Sequence, residues 1–444
     1  MGINGEVLQL TGPSDRCPSA SDASDVRSGY KRTDFGIIPE DWRLLPVRRM
    51  GEVLIGKALA VNAPGQQRSY LRTKNVFDGR IDVEDVLTMP MTDAQFQQFR
   101  IIPGDVLLNE GQSLELVGRC AMYQGEYPEP CAIQNQLLRF RARAGVSAEF
   151  SSHLFRYCQQ TGVFARIALQ TTSIAHLGGT RFERLLLPWP ENEQEQRAIA
   201  EALSNADQLI EALDRLITKK RAIKLATMQQ LLSGKTRLRG FTRAWRNVSL
   251  AQFGKTYGGL AGKSREDFGR GEAMYVPFLN IINNVVLDTR FVEPVRVASA
   301  EHQNLVGKGD IFFNGSSETA EEAGMCSVLQ DNVENVYLNS FCFGFRFNHE
   351  ANENPLFLAY YFRSGEGRRL LYAEAQGAIR YNISKRRLLK LPLRIPSRDE
   401  QDAIVAIVSD MDAEIVALEH RRDKTNAIKQ GTMQQLLTGR TRLV

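Results

Sequence analysis

Ile199, Leu203, Ala206, Ile210, Leu213 and Ile217 recur at alternating spacings of four and three. That is the period of one helical face turned toward another helix, so it predicts a helix with a single apolar seam. Ile404, Val408, Met411, Ile415 and Leu418 repeat the spacing before the pattern departs at Arg422. Both seams have matching ends. Asn192 and Ser397 are N-cap candidates with Glu195 and Glu400 three residues on, and Gly234 and Gly439 supply the stops. A helix from about 192 to 233 is roughly 60 Å long at 1.5 Å per residue, longer than an ordinary globular helix. Two such helices, polar outside the seam, are predicted to pair as an antiparallel intramolecular coiled coil with a globular module near each end. The competing arrangement docks each helix on its own domain.

Elsewhere the pattern changes. Short runs rich in Val, Ile, Leu and Tyr are broken by Asp78-Gly79, Pro103-Gly104 and Gly307-Lys308-Gly309, which predicts strands in each half. Glu149 to Leu169 and Pro355 to Ala375 read as helices. Residues up to about Arg32 are rich in Ser, Asp, Gly and Pro with little apolar periodicity, predicting a mobile tail.

The halves echo one another. Thr227 to Leu238 returns at Thr432 to Leu443 with an offset of 205, changed only at Ser233/Thr438 and Lys235/Arg440. Glu195-Gln196 matches Glu400-Gln401, Gly104-Asp105-Val106 matches Gly309-Asp310-Ile311, and Asn109 matches Asn314 at the same offset. A repeat of this length is a duplicated domain rather than a solenoid unit. The expected fold is α+β: two similar modules of mixed strands and helices, separated by two long antiparallel helices with pseudo-two-fold character. The expected divisions are a tail (1–35), a first module (36–190), a central helix (191–235), a second module (236–395) and a C-terminal helix (396–444).

Composition narrows the chemistry. With 43% hydrophobic and 24% charged residues and a net charge of +5, the chain is ordinary for a soluble protein and permits an anionic partner. Its six cysteines are far apart, with no Cys-x-x-Cys pair or neighbouring histidine cluster, so free thiols in a reducing cytoplasm are expected. No run approaches the roughly 20 apolar residues of a membrane span, and no signal peptide is legible. Gly258 to Ser264 resembles a phosphate-binding loop one residue short, since Tyr257 stands where its first glycine belongs. Asn354-Pro355-Leu356-Phe357 brushes against an amine methyltransferase loop but lacks the second proline, so helix initiation explains it. The five histidines suggest no nucleophile and base pair.

Binding chemistry remains. Nine Lys or Arg lie between Arg363 and Arg394 (Arg363, Arg368, Arg369, Arg380, Lys385, Arg386, Arg387, Lys390, Arg394), against Glu366 and Glu374 and interleaved with Tyr372, Tyr381 and Asn382. A second cluster comprises Lys219, Lys220, Arg221, Lys224, Lys235, Arg237, Arg239, Arg243 and Arg246. As groups they favour nucleic acid, although any single charge is more simply a solvated helix face.

Tyr70 to Val76 with Asp78 to Ile81, Pro103 to Leu107, Val117-Gly118-Arg119, and Leu187-Pro188 followed by Glu195-Gln196 and a long helix resemble the specificity subunit of type I restriction-modification enzymes. Gly309-Asp310-Ile311, Ile383-Ser384, Leu391-Pro392 and Glu400-Gln401 carry the string into the second half. The resemblance covers nearly the whole chain beyond the first thirty or so residues. It implies two target-recognition domains, each reading one part of a split, asymmetric site on double-stranded DNA, with the helices as a spacer that docks two modification (methyltransferase) subunits. Restriction/translocase subunits complete such a complex. The chain itself is then expected to be non-catalytic and cytoplasmic and to bind no cofactor or metal, with S-adenosylmethionine, ATP and Mg held by partner subunits.

By residue type and position, Lys57, Arg72, Lys74, Asn75, Gln112, Ser113, Ser173 and His176 are the DNA-contact candidates of the first module. Lys263, Arg265, Asn280, Ser316, Ser317, Arg380, Tyr381, Asn382 and Lys385 are those of the second. Gln229, Gln230, Gln434 and Gln435 are candidates for subunit docking. Three alternatives stay open: the specificity component of a restriction system with a fused methyltransferase-nuclease, a coiled-coil scaffold that binds only protein, and a stand-alone methyltransferase.

Overall fold

The computed structural model describes residues 26–443 apart from 34, 172 and 375–379. Most of the expected tail, Cys17, and Ala375 at the end of a predicted helix lie outside the described residues. Tyr30–Thr33, near the end of the tail segment, is a strand paired antiparallel with Gly36–Pro39. The Tyr30 hydroxyl donates to the Gly439 carbonyl at 3.0 Å.

The chain divides into two units. One takes the described residues up to Ala212 together with those from Arg422 onward, and the other is Leu213–Arg421. The two long helices, Glu193–Leu232 and Arg398–Leu436, are therefore each shared between units. Each unit takes the first part of one helix and the last part of the other.

Within each unit these parts run antiparallel. Lys429 pairs with Asp207 and Arg442 with Glu195 in the first; Lys220 pairs with Glu414, Lys224 with Asp412 and Arg237 with Glu400 in the second. The pairs obey the repeat, because Asp207, Lys224, Glu195 and Arg237 become Asp412, Lys429, Glu400 and Arg442 on adding 205.

The expected seam is also a docking face. Ile199, Ala200 and Leu203 enter the core built on Trp42, Phe150 and Trp189, and Met433, Leu436 and Leu437 join them from the other helix. In the second unit Met228, Leu231 and Leu232 share a core with Phe357, Leu393, Ile404 and Val408. An apolar stripe buries whatever surface it meets, and here its ends meet the module and the other helix together.

The helix starts correct another expectation. Asn192 does cap its helix, accepting the Gln194 N–H at 2.8 Å. Glu195 and Glu400 are not reciprocal capping residues. Both are buried, and each receives a two-pronged arginine, Arg442 on Glu195 and Arg237 on Glu400. A desolvated carboxylate requires a charged partner more than a helix start requires a second cap. The adjoining Gln196 and Gln401 are buried too, accepting the N–H of Ser147 and Asn354 and donating to the carbonyls of Pro190 and Pro396.

Each module is built on the same sheets. A four-stranded antiparallel sheet has the order Gly51–Ile55, Leu137–Ala142, Val106–Asn109, Cys120–Met122 in the first and Gly254–Gly258, Cys342–Phe347, Ile311–Asn314, Cys326–Val328 in the second. Leu137 faces Asn109 where Cys342 faces Asn314, the same register at an offset of 205. Three-stranded sheets follow the same rule, with Leu71 beside Ile133 and Val276 beside Leu338 in parallel pairs. Buried Asp105 and Asp310 anchor the sheets through two-pronged pairs with Arg141 and Arg346.

Candidate nucleic-acid interface

In each module the chain leaves the four-stranded sheet through a small side sheet. Val106–Asn109 is followed by Gly111–Gln112, which pairs antiparallel with Ala175–His176; Leu169–Gln170 adds a third strand. In the second unit Ile311–Asn314 is followed by Ser316–Ser317, paired with Tyr381–Asn382. Ser316 faces Asn382 and Ser317 faces Tyr381, whereas Gly111 faces His176 and Gln112 faces Ala175. One structural position thus presents two different sets of polar side chains.

These small sheets gather half of the candidates chosen from sequence. Gln112, Ser113, Ser173 and His176 form the first patch, with Ser113 and Ser173 exposed. Ser316, Tyr381, Asn382 and exposed Arg380 form the second, where Arg380 lies 3.8 Å from Glu318. Ser317 belongs to it by position but is buried, donating to Glu322 at 2.8 Å. Lys385, exposed, opens the short helix Lys385–Lys390, its ammonium 5.9 Å from the centre of the Phe343 ring.

The remaining candidates lie elsewhere, and several are spent on structure. Asn75 is 2% exposed and donates to the carbonyls of Asp82 and Asp85. Its repeat mate Asn280 is 0% exposed and donates to those of Asp288 and Phe291. Both latch a loop from within and offer nothing outward, which corrects their choice as DNA contacts. Lys263 is corrected likewise: its side chain is 4% exposed and pairs with Glu301 and the Arg296 carbonyl. Arg72 and Lys74 both lie 2.7 Å from Asp85, whose carboxyl the Lys74 hydrogen bond helps hold below its usual range. Lys57 and Arg265 are exposed and belong to neither small sheet.

Both basic clusters shrink. Arg363 and Arg368 are inside the second unit, Arg363 donating to the carbonyls of Cys326, Ile281, Ile282 and Asn284 and Arg368 to those of Glu321 and Ala323. In the other cluster Lys220, Arg221, Lys224, Arg237 and Arg246 pair with Glu414, Glu419, Asp412, Glu400 and Glu353. That cluster is chiefly internal charge complementarity, invisible while the acidic partners are far away in sequence.

Sequence reasoning missed Glu110 and Arg181. Glu110 is buried; its carboxylate accepts from His176 Nδ1 at 3.0 Å and from the Gly178 N–H at 3.2 Å. Arg181 donates to the His176 carbonyl at 2.7 Å. The available signal was divergence: Asn109 is repeated as Asn314, but Glu110 stands opposite Gly315.

The decoys resolve simply. Gly258 to Ser264 leads into only a short turn of helix, Arg265–Asp267. Asn354 is an N-cap accepting from Leu356 and Phe357, with Pro355 in the first turn. Cys120, Cys131, Cys158, Cys326 and Cys342 are free and buried, and burial pushes the Cys131 thiol up to about 12. Among the described residues no cluster of three His, Cys, Asp or Glu could hold a metal ion, and no helix is long and apolar enough to cross a membrane. Gln229, Gln230, Gln434 and Gln435 all face outward from helix ends whose Met228, Leu231, Met433 and Leu436 are buried.

Two copies of one framework thus carry unlike polar patches. The type I restriction modification DNA specificity domain matches residues 272–430. A Methanocaldococcus jannaschii chain, assigned as the specificity subunit of the type I restriction enzyme MjaX, is 24% identical over 436 residues, covering 93% of this chain and 97% of that one. Two solved structures share the fold. The type I restriction-modification S subunit from M. genitalium has a TM-score of 0.53 and 15% identity, covering 89% of this chain and 96% of that one. A chain from a study of complex assembly and conformational transition of the type I R-M system has a TM-score of 0.58 and 16% identity, covering 90% and 99%. Over nearly its whole length the chain is similar to type I restriction-modification specificity subunits, and residues 272–430 match their DNA specificity domain.

Proposed function

We propose that the two units read the two parts of a split, asymmetric DNA sequence. One uses the patch around Gln112 and His176, the other the patch around Ser316, Tyr381 and Asn382. The observation that carries this reading is the contrast between sheets held in identical register at an offset of 205 and small side sheets whose polar side chains differ. Amide, imidazole and hydroxyl groups match the donor and acceptor pattern that distinguishes base pairs in the major groove. Exposed Arg380 and Lys385 suit phosphates, which position a reader without specifying sequence.

In this reading the chain performs no chemistry and holds no cofactor. Methylation with S-adenosylmethionine belongs to two modification subunits, docked through surfaces that include Gln229, Gln230, Gln434 and Gln435. ATP and Mg belong to restriction/translocase subunits, and the complex works in the cytoplasm.

The test is to co-express the chain with its cognate modification subunit and map methylated adenines genome-wide. A single split, non-palindromic motif is expected. A palindromic or continuous motif would rule out two unequal readers, and stoichiometric S-adenosylmethionine binding by this chain alone would return it to the methyltransferases.

A further inference from the structure

We infer that Glu110 is a specificity-positioning residue: by accepting a hydrogen bond from Nδ1–H of His176 it leaves Nε2 as a hydrogen-bond acceptor, so that this side chain selects a base presenting an exocyclic amine in the major groove. The inference rests on the reading of the first patch as a DNA-contact surface.

The chemistry follows from the donor inventory. The Glu110 carboxylate accepts from the Gly178 backbone N–H at 3.2 Å through one oxygen and lies 3.0 Å from His176 Nδ1 through the other. An ionised carboxylate has no hydrogen to give, so Nδ1 must donate, and in the neutral ring Nε2 then carries the lone pair. The exocyclic amines of adenine and cytosine are the major-groove donors such an atom accepts from; guanine and thymine present acceptors and repel it.

The ring is also held in place. Its backbone pairs with Gly111 on one side and Leu169 on the other, and Arg181 holds its carbonyl at 2.7 Å. A Cβ on Gly111 would come within 3.3 Å of the ring's Cε1, so the glycine gives the imidazole its seat. A reader fixed this way loses little freedom on binding. The His176 side chain is 38% exposed while that of Glu110 is 10% exposed, so the orienting group is sheltered and the oriented one accessible.

The second unit is built without this device at the same place. Gly315 stands at the repeat position of Glu110, and Asn382, an amide with both donor and acceptor, faces Ser316 where His176 faces Gly111. The orienting carboxylate is therefore private to the first half of the site.

The test uses the chain assembled with its modification subunits, the wild-type split motif, and duplexes in which each position of the motif is replaced in turn. His176→Ala should lower discrimination at one position of one half-site by roughly tenfold, as expected for loss of a single base contact. Glu110→Gln, which frees the ring to present Nε2–H, should admit the reversed base pair at that same position. Discrimination elsewhere in the motif should stay unchanged for both. A merely structural Glu110 would instead weaken binding to all sequences alike, and that outcome overturns the proposal. An unchanged motif for His176→Ala, or a change in both half-sites, overturns it as well. If Glu110→Gln does not assemble, His176→Gln decides: an amide that can turn either way should accept both base pairs, and retained discrimination overturns the inference. Absence of any split motif for the wild-type complex would refute the two-reader function itself, a distinguishable failure.

Discussion

The helices Ala148–Gln160 and Pro355–Arg363 occupy the same place in their units and solve one burial problem in two ways. Six residues after the N-caps Ser147 and Asn354 come His153 and Tyr360, and nine residues after come Arg156 and Arg363. His153 Nε2 lies 3.0 Å from the Ser204 hydroxyl, while the Tyr360 hydroxyl donates to Asp412 at 2.8 Å. Arg156 sits between Asp78 and Asp207, each at 2.8 Å, whereas Arg363 donates to the four backbone carbonyls of Cys326, Ile281, Ile282 and Asn284. Burial opposes both charges. Two carboxylates outweigh it at Arg156 and raise its pKa; burial prevails at Arg363 and lowers its pKa. Equal backbones thus tolerate unequal interiors, with the buried arginine of each answered by a different set of acceptors.

The sharpest way to break the comparison is Arg156→Met. It leaves Asp78 with Gln160 and deprives the Asp207–Lys429 pair of its second cation, which should cost about 3 kcal/mol. Hydrogen exchange should show the Ala148–Gln160 amides opening while those of Pro355–Arg363 keep their protection. Equal loosening of both helices would mean that the units do not carry separate ion networks.

Acid should separate the units next. Burial, reinforced by Arg156, lowers His153 from 6.5 to about 4, so the folded first unit keeps it neutral while the unfolded chain takes up a proton below about 6.5. This contribution is intact above pH 6.5 and declines as pH falls toward 4, by roughly 3 kcal/mol at most. Denaturation of wild type and His153→Leu at pH 7 and 4.5 should show a smaller acid loss in the variant. At the matching position Tyr360 is raised by burial and by Asp412, away from that window, so Tyr360→Phe should leave the acid response unchanged. Its own effect should be the smallest of the three, about 1 kcal/mol at neutral pH, for one lost hydrogen bond to a carboxylate still paired with Lys224.

The framework was legible because it is written locally and written twice. The seams from Ile199 and Ile404 mark the long helices, and their stops at Gly234 and Gly439 have φ of 70° and 69°, the left-handed turn that glycine adopts readily. The candidate patches were half legible. Gln112, His176, Ser316 and Asn382, chosen because polar side chains in divergent segments suit base edges, lie together on the small side sheets. Asn75, Asn280 and Lys263 were chosen on the same ground and proved to be spent inside their own loops.

By itself, then, the sequence determined the duplication, the helical seams and the sheet-forming runs, since periodicity and repeats act over neighbouring residues or at a constant offset. Only the tertiary structure decided which charges are available. Glu195 finds Arg442 at a separation of 247 residues, Glu400 finds Arg237 at 163, and Arg156 finds Asp78 at 78. Desolvation and pairing depend on distance in space, and no local pattern in the chain encodes that.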